Sequence, residues 1–244
     1  MLSKRILLTA LSVGLTTMAS AETYEALYKS CFSSGMPDQV IASCSVVIGR
    51  RLAEDEDLAT AFKNRGNAYD DKGDYQQAIE DYGQALAITP QDAEAFNSRG
   101  ATFTALGEYE RAIADFDQAA RLNPNGPRAF GNRCFAKALL GQLDAALADC
   151  DEALRLKPGN AALASRAFVH LKARRIDAAI TDYNAHLASR PEDPYALYAR
   201  GLARYLKGDQ RGGDRDIAAA RGLKPDIDEQ MAKLGLKLQD FRQG

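Results

Sequence analysis

The chain repeats itself with a period close to 34 residues, and few folds tolerate that. Prolines at positions 90, 124, 158, 191 and 225 are spaced 34, 34, 33 and 34 apart. The strings NRGNAY, SRGATF, NRCFAK, SRAFVH and ARGLAR begin at Asn64, Ser98, Asn132, Ser165 and Ala199. A unit of this length cannot bury its own apolar face, so copies must stack on one another. Gly73, Gly107, Gly141 and Gly208 fall mid-unit, where a helical hairpin needs its turn. The prolines fall where a second helix would have to stop. Small residues Gly66, Gly100, Cys134, Ala167 and Gly201 allow close approach to Ala78, Ala112, Ala146 and Ala179.

The pattern Phe62-x-x-Arg65-Gly66-x-x-Tyr69, then Ala78-x-x-x-Tyr82, then Pro90, resembles the tetratricopeptide repeat. The second unit gives Phe96, Arg99, Gly100, Phe103, Ala112, Phe116 and Pro124 in the same order. The resemblance implies an all-α fold, a right-handed α-solenoid of about five helix-turn-helix units, at 59–92, 93–126, 127–159, 160–193 and 194–226. The fourth unit departs from the pattern. Arg174 stands in place of the turn glycine and the preceding loop is one residue shorter, which predicts a local change of superhelix angle. Residues 24–48 read as a shorter, degenerate hairpin within 22–58, followed by a charged connector over 49–57. Residues 227–244 read as a polar-faced capping helix, which solenoids need for solubility.

An arginine in each first helix (Arg65, Arg99, Arg133, Arg166, Arg200) is followed 16 residues on by an aspartate: Asp81, Asp115, Asp149, Asp182 and Asp216. An antiparallel hairpin brings the two together. A ladder of arginines could serve anionic ligands, but the matched charges favour a repeated ion pair that fixes hairpin register.

Residues 1–21, MLSKRILLTALSVGLTTMASA, have the basic start, apolar centre and small-x-small end of an export leader, with cleavage expected after Ala21. The alternatives are an uncleaved anchor or a buried first helix, and the apolar stretch is short for spanning a bilayer. The expected location is periplasmic or secreted, with no integral membrane segment after cleavage. Four cysteines suit an oxidising compartment. They permit three pairings; the hairpin reading favours Cys31–Cys44 and Cys134–Cys150, each flanking a turn.

The two totals of 31 basic and 33 acidic residues argue against nucleic acid as a partner. Two histidines and no tryptophan leave little material for acid–base or metal chemistry, and no Ser-His-Asp set or phosphate loop is present. The chain reads as non-catalytic, with no cofactor and no metal. His170 and His186 read as framework or surface residues.

By the resemblance, ligands sit in a concave groove lined by the first helices. Its positions here are Lys63, Asn67 and Asp70 in repeat one, Asn97, Ala101 and Thr104 in repeat two, and Arg128, Phe135 and Leu139 in repeat three. Repeats four and five add Phe168, Leu171, Tyr195, Tyr198, Leu202 and Tyr205. Lys63 and Asn67 fit a carboxylate-gripping pattern of some relatives, and Arg128 fits in part, but Ser98 stands where asparagine is expected. The aromatic set from Phe135 to Tyr205 is the stronger expectation for a partner surface, since tyrosine supplies large contact area at low entropic cost. The partner is expected to be another protein. The other reading is self-association, in which one chain's terminal helix packs into a neighbour's groove.

Overall fold

The computed structural model describes residues 16–33, 35–50 and 54–241. Among these are thirteen α-helices and no strand. They form two compact bodies, divided between Pro90 and Gln91. The expected leader falls largely on residues 1–15, outside the described residues.

The N-terminal body holds α1 (Thr16–Cys31), α2 (Pro37–Arg50), α3 (Asp55–Lys72) and α4 (Tyr75–Ile88). The first two helices form the short hairpin, closed by a Cys31–Cys44 disulfide between fully buried residues. Tyr24, Tyr28 and Phe32 form a ladder of rings, with Tyr28 and Phe32 stacked at 4.5 Å. The Tyr28 hydroxyl donates to Asp57 Oδ2 at 2.7 Å, and Asn64 Nδ2 donates to the Cys31 carbonyl at 3.0 Å, so the hairpin is tied to α3. Burial first, and the Asp57 carboxylate second, push the Tyr28 phenol up to about 12. The connector is shorter than the sequence suggests: α2 runs to Arg50 and α3 starts at Asp55. Asp55, Glu56 and Asp57 fill the first turn of α3, where the helix dipole favours anions.

The C-terminal body contains four more hairpins. They are α5 (Ala93–Ala105) with α6 (Tyr109–Leu122), α7 (Pro127–Leu139) with α8 (Leu143–Leu156), α9 (Asn160–Lys172) with α10 (Ile176–Ser189), and α11 (Pro194–Leu206) with α12 (Gln210–Leu223). Consecutive helices pack on each other along this body, as an α-solenoid requires. In every repeat the second helix ends two residues before its proline. The four turn glycines have φ between 79 and 86°. Arg174 takes the same left-handed conformation, at φ 57°, where a side chain is strained.

The small positions act by close approach. A Cβ on Gly100 would come within 2.7 Å of Phe116, on Gly66 within 2.9 Å of Tyr82, and on Gly201 within 2.8 Å of Ile217. In repeat three the same pair of positions carries Cys134 and Cys150, joined by a disulfide. A covalent bond stands where repeats one, two and five press a ring or branched chain against a glycine.

All five arginine–aspartate pairs form as two-pronged hydrogen bonds. Nε and Nη2 of each arginine reach both carboxylate oxygens at 2.5 to 2.9 Å. Each aspartate is buried. In four repeats the remaining Nη1 reaches back to the preceding hairpin: Arg65 to Ser45, Arg133 to Asp117, Arg166 to Asp151 and Arg200 to Asn184. The arginine therefore fixes hairpin register and also couples one hairpin to the one before, which the sequence reading did not foresee.

The C-terminal end differs from a single capping helix. α13 (Ile227–Lys233) lasts seven residues, Gly235 reverses the backbone at φ 76°, and a 3₁₀ turn spans Leu238–Asp240. Its apolar side chains are not exposed: Ile227, Met231, Leu236 and Phe241 are buried.

Candidate functional site

The expected groove residues all lie on the first helices of the hairpins, α3, α5, α7, α9 and α11. In the N-terminal body, Lys63 is half-buried on α3 and Asn67 is exposed. The Asn67 side-chain oxygen accepts the Tyr82 hydroxyl at 2.7 Å, so this amide is bound to the hairpin's own second helix.

In the C-terminal body, Asn97 and Arg128 come together. They line a cavity of about 300 Å³ with Glu94, Asn123, Ala119 and Pro127. Asn97 is buried, and its Oδ1 accepts from Asn132 Nδ2 at 3.0 Å. Arg128 projects into solvent with its guanidinium 3.8 Å from Glu94. This end of the site is open and mixed in character, with the Asn97 and Asn123 amides, Glu94 and the exposed Arg128 set among alanine and proline side chains. Such a surface can hold a peptide backbone through amide hydrogen bonds and an acidic group through Arg128.

The aromatic set behaves differently. Phe135 and Leu139 are half-buried against the core, and the Phe135 ring meets Phe168 at 5.2 Å. Phe168, Leu171, Tyr198, Leu202 and Tyr205 are buried rather than displayed in an open groove. Tyr205 lies over Gly213, where a Cβ would come within 2.9 Å of its ring, and donates its hydroxyl to Asp214 at 2.6 Å. It is packing inside repeat five. Tyr198 is 1% exposed and donates to Asp228 Oδ1 at 2.8 Å. Tyr195 alone of the three tyrosines is exposed, with Lys224 Nζ 5.9 Å from its ring centre. The cause is local packing together with the segment after repeat five, which covers this face with four apolar side chains. The sequence carried a signal for it in Ile227 and Met231, four residues apart, and then Leu234, Leu236, Leu238 and Phe241.

Both histidines serve the framework. His186 is buried, with Nε2 2.8 Å from Asp193 Oδ2, while Asp193 Oδ1 caps α11 by accepting from the Tyr195 and Ala196 amides. His170 lies 3.9 Å from Asp182, and its Nδ1 is buried without a hydrogen-bond partner. Burial, the largest cause, lowers its pKa below the ordinary value. Among the described residues, no three His, Cys, Asp or Glu side chains are grouped to hold a metal ion, and no helix is long and apolar enough to cross a membrane.

Comparison with known proteins agrees with the geometry. Residues 66–107 match a TPR repeat family profile, and residues 93–125 and 166–221 match tetratricopeptide repeat profiles. No curated protein sequence matches the chain. Among solved structures, a tetratricopeptide repeat protein from Parabacteroides merdae superposes with a TM-score of 0.68 at 20% identity, over 90% of this chain and 93% of that one. PilW, a widely conserved type IV pilus biogenesis factor, gives a TM-score of 0.64 at 20% identity, over 75% of this chain and 85% of its own. YrrB, a TPR protein with an unusual peptide-binding site, gives 0.52 at 18% identity, over 75% of this chain and 92% of its own. The fold is that of a tetratricopeptide repeat α-solenoid, and repeats of this kind are generally non-catalytic protein-interaction modules.

Proposed function

We propose that this tetratricopeptide repeat chain is a non-catalytic adaptor of the bacterial periplasm that holds a peptide or helix of another protein along its first-helix face. The observation that carries the reading is the open cavity of repeats two and three, whose largely apolar lining includes the Asn97 and Asn123 amides and the exposed Arg128. The Asn97 and Asn123 amides set the register of a bound backbone, and Arg128 selects acidic segments. YrrB, which shares the fold, supports a peptide as the class of ligand. Export is supported by the leader-like residues 1–21 and by the two disulfides.

Crosslinked capture from cell envelopes with wild type and Arg128→Glu tests this reading. Arg128 is exposed, so the variant keeps its fold, and a protein recovered only with wild type identifies the client. Identical recovery with both removes the cavity from consideration. Intact-mass analysis tests the compartment: the mature chain should begin at Glu22 and carry no alkylatable thiol. A retained Met1 with four reactive thiols would sink that part.

A further inference from the structure

The first-helix face of repeats four and five is already occupied, by the chain itself. α13 packs on α11 and α12, and Ile227 and Met231 join the buried cluster that holds Tyr198, Leu202 and Tyr205. Between those two anchors, Asp228 accepts the Tyr198 hydroxyl at 2.8 Å and the Arg221 Nε and Nη2 at 2.7 and 2.8 Å. From the Gly235 reversal onward the segment reaches residues of repeat four. Lys172 Nζ on α9 lies 3.7 Å from where a Gly235 Cβ would stand. Leu236 is buried, and the Arg174 guanidinium sits 5.1 Å from the centre of the Phe241 ring.

An end cap that merely continued the stacking would stay with α11 and α12. This segment also reaches the C-terminal end of α9 at Lys172 and the turn that follows at Arg174. Lys172 registers the cover: burial lowers its pKa below the ordinary lysine value. The covering segment is a short helix, a glycine reversal and a 3₁₀ turn, elements with little stability of their own. Its hold comes from four apolar anchors and one charge-assisted contact.

We infer that residues 226–241 are an internal ligand, which fills the apolar half of the groove in cis and must be displaced before a partner reaches Tyr198 and Leu202. The inference rests on the proposed groove function and adds the chemistry of the partner. A competing segment is amphipathic, with an apolar anchor, an acidic side chain immediately after it for Tyr198 and Arg221, and a second apolar anchor four residues beyond the first. Apparent affinity for such a partner is reduced by the fraction of molecules whose own segment is docked.

The test uses the full chain and a fluorescein-labelled peptide of residues 226–241. Ile227→Asp/Met231→Asp removes two of the four apolar anchors and changes no groove residue. The variant should bind the peptide at least tenfold more tightly than wild type, with helical circular dichroism retained. An Asp228→Asn peptide should lose about tenfold of that affinity, as expected for one charge-assisted hydrogen-bond site. A folded variant that binds the peptide no better than wild type overturns the proposal. Should the variant unfold, hydrogen exchange on wild type decides: amides of residues 228–241 should exchange at least tenfold faster than those of 197–205, and equal rates overturn it. The peptide is the chain's own, so failure here leaves the adaptor reading to its separate test at Arg128.

Discussion

Arg99 grips Asp115 through two parallel hydrogen bonds, Nε to Oδ2 at 2.7 Å and Nη2 to Oδ1 at 2.8 Å, with the aspartate 6% exposed. Breaking such a pair from one side strands a buried charge, which costs about 3–5 kcal/mol. Replacing both partners with apolar groups of similar shape is often nearly neutral. Arg99→Met should therefore lower urea-unfolding stability by about 3–5 kcal/mol, while Arg99→Met/Asp115→Leu recovers most of the loss. Equal losses in the single and double variants would mean that the pair contributes through packing and not through charge.

The Cys134–Cys150 bridge closes a separation of 16 residues. A loop of that length is worth about 3 kcal/mol in the chain-entropy account. Cys134→Ala/Cys150→Ala should lose that much, and the variant should lose its extra sensitivity to reductant. Stability unchanged on substitution would show that packing alone holds repeat three.

Gly100 and Gly222 should respond to alanine with opposite signs. Gly100→Ala puts a Cβ 2.7 Å from Phe116, and overpacking of this kind costs about 1–3 kcal/mol. Gly222 lies in α12 with nothing within 4 Å of its Cβ position. There the substitution gains roughly 0.5–1 kcal/mol of helix propensity. Thermal melts of the two variants against wild type check both.

His170 ties stability to pH. Its folded pKa lies below the ordinary 6.5, chiefly through burial, with Asp182 and Asp151 opposing and Arg166 and Arg175 assisting. A base with a depressed folded pKa contributes stability above its unfolded pKa and loses it as pH falls through the folded value. The urea midpoint should drop between pH 7.5 and 5.5, and His170→Gln should drop less. Parallel declines would assign the effect to other groups.

The hairpins were legible because one period organises everything in them. Gly66 and Tyr82, Arg65 and Asp81, or Cys134 and Cys150 sit at fixed offsets, so a short-range pattern announces a contact in space. The third arm of the arginine was hidden, since Asp117 lies on another hairpin and looks from sequence like any solvated acid. The aromatic face was misjudged for a related reason. Position within a repeat tells which way Tyr198 and Leu202 project, but not what lies against them. That depended on residues 226–241, which fall outside the period. Arg174 shows the limit from the other side: a missing turn glycine was visible, yet the chain keeps the left-handed turn and does not abandon it.

The disulfide of repeat three also decides how the chain responds to mechanical load. Pulled from its ends, a stack of hairpins gives way one hairpin at a time, and each adds its extended length to the tether. The fifteen residues enclosed by Cys134 and Cys150 cannot join that length while the bond holds. At about 3.5 Å per residue this withholds roughly 50 Å. In an oxidising compartment, repeat three would be the shortest step among the five repeats. Under reductant it would lengthen to match its neighbours.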